Sequence, residues 1–260
     1  MKPIALQLYS LRDAAKEDFV GVLERVASMG YQGVEPAGFH NLSPAEFRRV
    51  VDDLGMQICS SHGPWVKPDN LDEVADTAAI LGIDMVGTGF GPAQFETVDT
   101  IQDTAEAVAA MAQTLKREGL TLFIHNHYWE FSNVEGRLAY DWFRESCGPD
   151  VTFQIDAYWT ANHGANNPAE MVARFADRLP LLHLKDGPLE QDQAMMPLGT
   201  GKMDIPAVIS ACREDVLRWV IVELDRCDMD MEEAVAQSYA YLIRNGLAGG
   251  PLSDDGGSHR

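Results

Sequence analysis

The amino-acid sequence predicts an α/β fold of the (β/α)8-barrel class, a TIM barrel in which a closed ring of parallel strands is surrounded by helices. The chain has 260 residues, close to the roughly 250 typical of one such barrel. Short apolar runs alternate with longer amphipathic segments along the sequence, which favours a parallel sheet with crossover helices. An open doubly wound sheet usually carries a glycine-rich turn after its first strand, whereas this chain has Ser10-Leu11-Arg12-Asp13 there. We therefore predict the closed barrel.

The eight predicted strands are apolar almost throughout, as expected when both faces of a parallel sheet are buried. They are Ile4–Tyr9, Gly33–Glu35, Gln57–Ser61, Met85–Thr88, Leu120–His125, Val151–Asp156, Leu181–Lys185 and Trp219–Glu223. The predicted helices are Glu17–Met29, Pro44–Leu54, Leu71–Leu81, Thr97–Glu118, Tyr140–Ser146, Pro168–Phe175, Ile205–Arg213 and Met231–Asn245. We assign residues 1–248 to one barrel domain and expect the polar, glycine-rich residues 249–260 to be a disordered tail.

The composition excludes several classes of partner. Acidic residues outnumber basic ones by 40 to 20, which gives a formal net charge of -20 at pH 7. Such a surface repels phosphate backbones and anionic membranes, so we expect neither nucleic acid nor a membrane as a partner. The 4 cysteines form no CxxC pair, and neither a secretory leader nor a run of 18 apolar residues is found. Reduced thiols in a cytoplasmic protein are the expected reading.

Ionisable residues collect where the predicted strands end. Because functional residues of such barrels come from the carboxyl ends of the strands, we expect these side chains to share one face. Two carboxylates and an imidazole suit a divalent metal ion, and Asp156, His183 and Glu223 would provide them. No thiolate is available there, which disfavours a structural zinc site. The complete set is Glu35, His62, His125, Asn126, His127, Asp156, His183, Lys185, Asp186, Glu223 and Asp225.

Each of these residues also has a purely structural interpretation. Asp156 would then be a buried carboxylate satisfied by backbone donors, and His183 a hydrogen-bonded core histidine. Lys185 would be an ion-pair partner of a neighbouring carboxylate. Glu35 would only cap the barrel mouth, and His62 would be a loop residue without a role. A charged residue such as Glu223 at the end of an apolar strand is harder to explain in this way, because it is costly to bury unless it is paired.

Several ordered motifs resemble those of the sugar phosphate isomerase/epimerase superfamily, the xylose-isomerase-like barrels. The similarity covers about residues 3–245 and includes an HNHxxEF variant that marks a subgroup. The motifs are Gly33-Val34-Glu35, His125-Asn126-His127 with Glu130-Phe131, Gln154-Ile155-Asp156-Ala157-Tyr158-Trp159, His183-Leu184-Lys185-Asp186, Leu198-Gly199-Thr200-Gly201 and Val222-Glu223-Leu224-Asp225.

The resemblance implies one divalent metal ion, with Mn expected and Mg, Zn, Fe and Co as alternatives. It places the ligands on four strands, and three of them carry over onto Asp156, His183 and Glu223. Many members have a glutamate on strand five, whereas this chain has His125. The fourth ligand is then His125 itself, with His127 and Glu130 as alternatives.

The resemblance also implies chemistry on a small sugar-like substrate. Proton abstraction next to a carbonyl would proceed through an enediolate, and we place His125, Glu223, Lys185 and Glu35 in the catalytic group. An imidazole near neutral pKa is a good base, and Lys185 suits a developing negative charge on a substrate oxygen. His62, His127 and Trp159 are expected to bind the substrate. The loop of Gly199 and Gly201 resembles the family's loop after strand seven, but a phosphate role is doubtful, because Lys202 is the only cation beside it.

Four functions are compared with these features of the sequence. The first is a metal-dependent isomerase or epimerase of a sugar or keto-sugar, and the second is a lyase or dehydratase of a keto-sugar or cyclitol. The third, a DNA-repair enzyme of the endonuclease IV type, conflicts with the acidic charge and with the shortage of further histidine ligands. The fourth is a non-catalytic sugar-binding barrel, which predicts no tightly held metal. Barrels of this family often associate, so a homo-oligomer is a further expectation.

Overall fold

A ring of eight parallel strands forms the centre of the computed structural model, which describes residues 1–250. This confirms the predicted fold class. We label the ring strands in chain order as β1 (Ile4–Gln7), β2 (Gly33–Glu35), β3 (Gln57–Ile58), β4 (Met85–Thr88), β5 (Thr121–His125), β6 (Thr152–Asp156), β7 (Leu181–Leu184) and β8 (Trp219–Val222).

The strands pair in the order β3-β2-β1-β8-β7-β6-β5-β4, and each pair is parallel. The first and last strands are neighbours, with Ile4 opposite Val220. No strand ladder of the described residues joins β3 to β4. There the Val66 amide donates to the Gly87 carbonyl at 3.0 Å, which links the loop after β3 to β4. The ring is therefore continuous apart from one loosely connected seam.

One main helix lies between each strand and the next, and a last helix follows β8. They are α1 (Phe19–Met29), α2 (Pro44–Asp53), α3 (Leu71–Leu81), α4 (Val98–Arg117), α5 (Ala139–Ser146), α6 (Pro168–Phe175), α7 (Ile205–Ser210) and α8 (Met231–Arg244). Local chemistry fixes where several begin. At α2, Ser43 and Glu46 form a capping box with Pro44 in the first turn, which satisfies amides that lack a partner within the helix.

The structure differs from the sequence-based boundaries at several elements. The predicted strands Ile4–Tyr9 and Gln57–Ser61 end at Gln7 and Ile58, and the predicted helix Ile205–Arg213 ends at Ser210. The helix expected over Glu17–Met29 begins at Phe19, because Asp18 leaves the helical conformation and its side chain caps the helix by accepting from the Gly21 amide. The preceding short helix is Arg12–Glu17. A two-stranded hairpin at Asn133–Val134 and Arg137–Leu138, and a single turn of helix at Ala157–Thr160, were not expected. The last two lie in the loops after β5 and β6, at the mouth of the barrel.

The barrel interior has two layers with opposite chemistry. Side chains on a strand alternate between its two faces, so every second residue points into the ring. The first layer is apolar and consists of Ala5, Cys59, Met85, Phe123, Leu181, Trp219 and Ile221. The next layer, toward the carboxyl ends of the strands, is polar and buried, and it includes Gln7, Glu35, His125, Gln154, Asp156, His183 and Glu223. The apolar layer thus forms the floor beneath a polar chamber.

The described end of the chain is hydrogen-bonded to its beginning. Gly249 and Gly250 both donate to the Lys2 carbonyl, at 2.8 and 3.2 Å, so these two residues differ from the disordered tail expected over 249–260. The rest of that tail, residues 251–260, lies outside the described residues. All four cysteines are free thiols. Among the described residues, no helix is both long and apolar enough to cross a membrane.

We expect Gly87→Ala to destabilise the protein by about 1–3 kcal/mol, because overpacking a filled core forces its neighbours to shift. A Cβ at Gly87 would lie 2.2 Å from the Phe123 ring in the apolar layer. Chemical denaturation of both proteins measures the difference. Gly91→Ala is the matched control, since its Cβ would meet no atom closer than 3.5 Å. Equal losses of stability in the two variants would contradict a tightly packed floor.

Candidate active site

Four donor side chains converge above the apolar floor. His125, Asp156 and His183 lie on β5, β6 and β7, and Glu223 directly follows β8. One ligand atom from each of the four lies within 4.8 Å of the others, and all four residues are buried. Because these strands are neighbours in the ring, the fold brings the four residues together although 98 positions separate the first from the last.

Glu35 lies at the centre of a buried hydrogen-bond network and has no exposed surface. Burial alone would raise its pKa, but the charges of His62 and His183, with hydrogen bonds from His183 and Ser60, lower it to about 2. Both of its oxygens accept hydrogen bonds, from Gln7 Nε2 at 2.7 Å, His183 Nε2 at 2.7 Å, Gln154 Nε2 at 2.6 Å and the Ser60 hydroxyl. The carboxylate is therefore ionised and already fully hydrogen-bonded.

His183 is held between two carboxylates. Its Nε2 lies 2.7 Å from Glu35 Oε2 and its Nδ1 lies 2.8 Å from Glu223 Oε2. Burial would lower the pKa of His183, but the charge of Glu35 and the hydrogen bonds to both carboxylates raise it to about 10. The ring therefore donates from both nitrogens in this arrangement.

His125 is fixed by a side-chain amide. Gln154 donates to Glu35, which orients its Oε1 toward the histidines, where it lies 2.9 Å from His125 Nδ1 and 2.6 Å from His62 Nε2. Burial, reinforced by the charges of His62 and His183, holds the pKa of His125 well below its ordinary value. His125 is therefore neutral, with its hydrogen on Nδ1 and its Nε2 left as an electron-pair donor.

Lys185 is a buried cation surrounded by carboxylates. Its Nζ lies 2.9 Å from Asp156 Oδ2, 3.1 Å from Glu223 Oε2 and 3.0 Å from Asp225 Oδ1. Burial would lower the pKa of Lys185, but these three carboxylates raise it well above the ordinary value. Burial would raise the pKa of Glu223, but Lys185 and His183 lower it well below its usual range. The ammonium and Glu223 are therefore both charged.

The donor set fits a divalent metal ion on two counts. First, Asp156 Oδ2 is buried without a hydrogen bond among the described residues, since Lys185 approaches it at 2.9 Å outside hydrogen-bond geometry. Second, Glu35, Asp156, Glu223 and Asp225 carry four carboxylates against the two cations Lys185 and His183, and buried charge requires compensation.

A second donor group consists of His62, His125 and His183. Here the Nε2 of His62 already faces Gln154 Oε1 at 2.6 Å and Glu35 Oε2 at 3.3 Å. His62 would therefore have to give up its hydrogen bonds to bind an ion. Both groups contain His183, whose Nδ1 would have to release its hydrogen to bind an ion. The mixed carboxylate and imidazole group is the better metal site, because Asp156 Oδ2 and His125 Nε2 offer free electron pairs whereas His62 Nε2 is engaged.

The remaining predicted residues lie at the edge of the chamber. The His127 ring is 5.3 Å from that of His125 and stacks on Trp129 at 4.3 Å. Glu130 is buried, burial raises its pKa, and its Oε2 accepts from the His127 amide at 2.9 Å. Neither His127 nor Glu130 belongs to a donor group, so His125 is the strand-five residue that lies with the other three candidate donors. The indole of Trp159 lies 5.5 Å from Lys185 Nζ.

A cavity of about 390 Å³ opens beside the chamber, lined by loops that follow β1, β5, β6, β7 and β8. Asp225 and Trp159 line it and also contact Lys185. The cavity therefore adjoins the polar layer, and we infer that it is the entrance to it. A volume of this size falls within the range of small-molecule sites.

The loop after β7 is held from inside by Asp186. This fully buried carboxylate accepts four backbone amides, from Gly187, Gly199, Gly201 and Met203, at 2.8–3.0 Å. A Cβ on Gly201 would lie 2.2 Å from Asp186 Oδ1, so the close approach requires glycine there. The glycine-rich loop thus encloses the carboxylate of Asp186 and not an external anion.

Residues 23–245 match the family model described as xylose isomerase-like TIM barrel. The chain belongs to this family. Because the match covers most of the chain, it confirms the superfamily that the motifs resembled. The HNHxxEF subgroup stays a prediction. A search of the curated proteins found no significant match.

Solved structures of other proteins share the same barrel. A sugar phosphate isomerase/epimerase from Parabacteroides distasonis is 26% identical, with a TM-score of 0.78 and 95% of each chain covered. A D-allulose 3-epimerase from Methylomonas sp. is 15% identical, with a TM-score of 0.67 over 94% of this chain and 97% of that chain. A probable 3-DHS dehydratase from Bacillus anthracis is 13% identical, with a TM-score of 0.71 over 94% and 99%. The latter two likenesses establish the fold alone.

The structure places every predicted site residue in or beside the chamber. Their roles as ligands, catalytic groups and substrate contacts stay predictions. Sequence reasoning gave no role to Gln7 and Gln154, which hold Glu35 and two of the histidines, or to Tyr128 in the cavity wall. Gln7 and Gln154 could have been found, because each is a polar residue at an inward position of an apolar strand.

We expect Asp186→Ala to destabilise the protein by about 3 kcal/mol or more, because four backbone amides would lose a buried charged acceptor. Thermal and chemical denaturation measure the loss. Asp103→Ala, an exposed residue on α4, is the matched control and should change stability by less than about 0.5 kcal/mol. A stable Asp186→Ala protein would show that the loop does not depend on this carboxylate.

Proposed function

We propose that the protein is a divalent-metal-dependent isomerase or epimerase of a sugar or keto-sugar. The observation that carries this proposal is the group of four buried donors at the mouth of the barrel, His125, Asp156, His183 and Glu223. Family membership supports the reaction class, since the relatives include proteins named as isomerases and epimerases. A fold alone does not establish a function, so the site has to support the proposal.

The four donors would hold the ion, and the polar layer would orient them. Two carboxylate oxygens and two imidazole nitrogens suit Mn, which we propose as the metal, with Mg, Zn, Fe and Co as alternatives. Gln154 fixes the Nδ1 hydrogen of His125 and so presents Nε2. Glu35 holds Nε2 of His183 and leaves Nδ1 on the side of Glu223. Such partners fix the tautomer and raise ligand basicity. When bound, the ion supplies a Lewis acid that polarises the substrate carbonyl.

The chain's own residues would move the proton. Glu223 is ionised and is the carboxylate that accepts a proton from the carbon next to the carbonyl. Lys185, charged and lying 3.1 Å from Glu223 Oε2, stabilises the negative charge that develops on the substrate oxygen. Return of a proton on the other face requires a second group that carries that proton. His125 would fill this role only with its Nε2 free of the ion and protonated, because its Nδ1 hydrogen is held by Gln154. His62, His127 and Trp159 would contact the sugar around this centre.

Glu35 acts in this proposal as a positioning residue. Its carboxylate is fully buried, and both oxygens are engaged by protein donors, so no lone pair faces the entrance. The sequence-based expectation had placed Glu35 among the catalytic groups. A group without access to substrate atoms can still set the orientation and charge of His183.

A lyase or dehydratase of a keto-sugar or cyclitol is the second candidate, and one observation favours it. The strand-five position that holds a carboxylate in many relatives holds His125 in this chain, so Glu223 is the one carboxylate base of the pair. A single base next to an enediolate suits loss of a β substituent as well as reprotonation. The dehydratase among the similar folds is consistent with this candidate.

The other expectations agree with the proposal. The acidic charge of -20 is compatible with a small sugar-like substrate and unfavourable to nucleic acid. Four free thiols are consistent with a cytoplasmic location. Assembly into a homo-oligomer remains part of the proposal.

The first test is metal content, measured by elemental analysis of protein purified without added metal and again after loading with Mn²⁺. We expect about one ion per chain in the wild type and little in the double variant His183→Ala with Glu223→Ala, because two of the four donors are lost. Arg213→Ala is the control variant, since the guanidinium of this exposed residue pairs with Asp215 on the outer surface. A wild type that stays metal-free after loading would overturn the proposal and favour a sugar-binding barrel.

Incubation of the Mn²⁺-loaded protein with ketohexoses in deuterium oxide tests the reaction. We expect deuterium at the carbon next to the carbonyl, detected by proton NMR, because abstraction and return of a proton exchange it with solvent. Recovery of a second stereoisomer indicates an epimerase, and loss of water or another substituent indicates the lyase. Absence of exchange in a fully loaded enzyme across the ketohexoses would contradict both.

Glu35→Gln separates positioning from catalysis. The amide cannot accept all the hydrogen bonds of the carboxylate, so we expect metal affinity to fall roughly 10- to 100-fold, while saturating Mn²⁺ restores full occupancy. Titration against a metal buffer measures the affinity. If metal affinity were unchanged and deuterium exchange were lost, Glu35 would instead act on the substrate.

A further inference from the structure

The cavity beside the chamber has a larger volume than the reacting carbonyl group of a substrate needs. Its volume of about 390 Å³ lies outside the buried donor group, which it reaches through Asp225 and Trp159. A substrate whose reacting end lies at Lys185 and Glu223 would therefore project its remaining atoms into this cavity. The lining of the cavity then indicates what those atoms are.

One wall of the cavity is aromatic. The rings of Tyr128, Trp159 and His163 pack against one another, with centroids 4.7–6.4 Å apart. All three are partly exposed and line the cavity. Tyr9 faces it from the loop after β1 with 43% of its surface exposed. Flat apolar faces beside a few polar groups are the usual lining of a site for an uncharged organic ring.

Another part of the lining is polar but not cationic. It is the run Glu190-Gln191-Asp192-Gln193, whose amides and carboxylates suit hydroxyl groups and repel an anion. Arg12 keeps its charge, but its guanidinium already donates to the carbonyls of Tyr9 and Asp225 at 2.9 and 2.7 Å. The lining still carries three carboxylates, those of Glu190, Asp192 and Asp225, against two guanidinium groups. Arg226 is the other cation of the lining, and it is exposed.

The glycine-rich loop after β7 does not offer a phosphate site either. Phosphate groups bind to clusters of backbone amides, and this loop has four converging amides. Asp186 already accepts all four. Lys202, the cation beside the loop, pairs with Glu190 at 3.0 Å. The amides that would receive a substrate phosphate are therefore occupied by the protein's own carboxylate.

The cavity wall also contains strained backbone. His163 and Asp192 line it with φ of 55° and 60°, and their neighbours Asn162 and Leu189 have φ of 42° and 57°. Residues other than glycine rarely adopt this left-handed conformation, and strain of this kind collects at ligand sites. Four such residues lie in two loops that face one cavity. Their conformation is therefore consistent with loops shaped to bind a ligand.

We propose that this cavity binds a second, uncharged sugar ring of the substrate, so that the enzyme acts on a glycosylated keto-sugar rather than on a sugar phosphate. The inference rests on the proposed function, because it takes the donor group as the place of the reacting carbonyl. The reacting ring lies toward Lys185, and the second ring packs on Tyr128 and Trp159 and hydrogen-bonds to the Glu190–Gln193 run.

Isothermal titration of the Mn²⁺-loaded enzyme with matched ketoses tests this. The probes share one reacting sugar and differ in its substituent: D-fructose, its neutral glucosylated forms turanose, maltulose and isomaltulose, and the 1- and 6-phosphates. We expect at least one glucosylated form to bind roughly tenfold more tightly than fructose, and neither phosphate to gain affinity.

In the variant Tyr128→Ala, fructose and the tightest-binding glucosylated ketose should bind with nearly equal affinity, because the variant removes part of the aromatic wall. His163→Ala serves the same purpose if the first variant fails to fold, which its melting curve reveals. Trp142→Ala is the matched aromatic control, since this ring lies under Arg137 away from the cavity, and it should keep the wild-type ratio of these two affinities.

Tighter binding of a phosphate than of fructose would overturn the inference, and so would equal affinity of all probes or no binding of any. None of these results touches the proposed function, which is judged separately by metal content and by deuterium exchange. A protein that takes up no metal but binds the glucosylated sugars would reject the proposed function and retain the second-ring site as a binding site.

Discussion

Burial of ionised carboxylates inside the barrel is the constraint on which the site depends. Glu35 and Asp156 have no exposed surface, and Glu223 has 5%. Charges so far from water are tolerated only when partners surround them. Lys185 and His183 provide positive charge, and Gln7, Gln154 and Ser60 provide neutral donors. The network therefore sets the orientation of each donor before any ligand arrives, and the loss of one member leaves another charge unpaired.

The same strands supply both the floor and the chamber. Moving two residues along β5 leads from Phe123 to His125, and along β7 from Leu181 to His183. The apolar layer fixes the spacing of the strands, and so it fixes the distances between donors in the layer above. This coupling explains why Gly87, far from any chemistry, matters to the geometry: its missing side chain leaves room for Phe123, which lies directly below His125 on the same strand.

Much of the fold and most of the chamber could be predicted from the sequence, because period-two and helical patterns determine which residues face inward. Strand ends such as His125 and Asp156 follow from that pattern and were expected together. The start of α1 at Phe19 instead of Glu17 was missed, because the cap formed by the Asp18 side chain is not visible in the spacing of apolar residues. The role of Gln154 was missed because its partners, His62 and Glu35, are 92 and 119 residues away. The aromatic wall around Tyr128 depends on loop conformations that carry no periodic signal.

The internal anchoring of the loop after β7 has a consequence for the entropy of binding. Asp186 ties together backbone groups from Gly187 to Met203, while the Met195 amide bonds to Arg226 and the Leu189 amide to the Tyr158 hydroxyl. A loop held at so many points has little conformational freedom left to lose. Closing a floppy loop over a ligand subtracts from the affinity, whereas this wall is preorganised. Association should therefore proceed close to rigid-body docking, with a small heat-capacity contribution from folding of the loop.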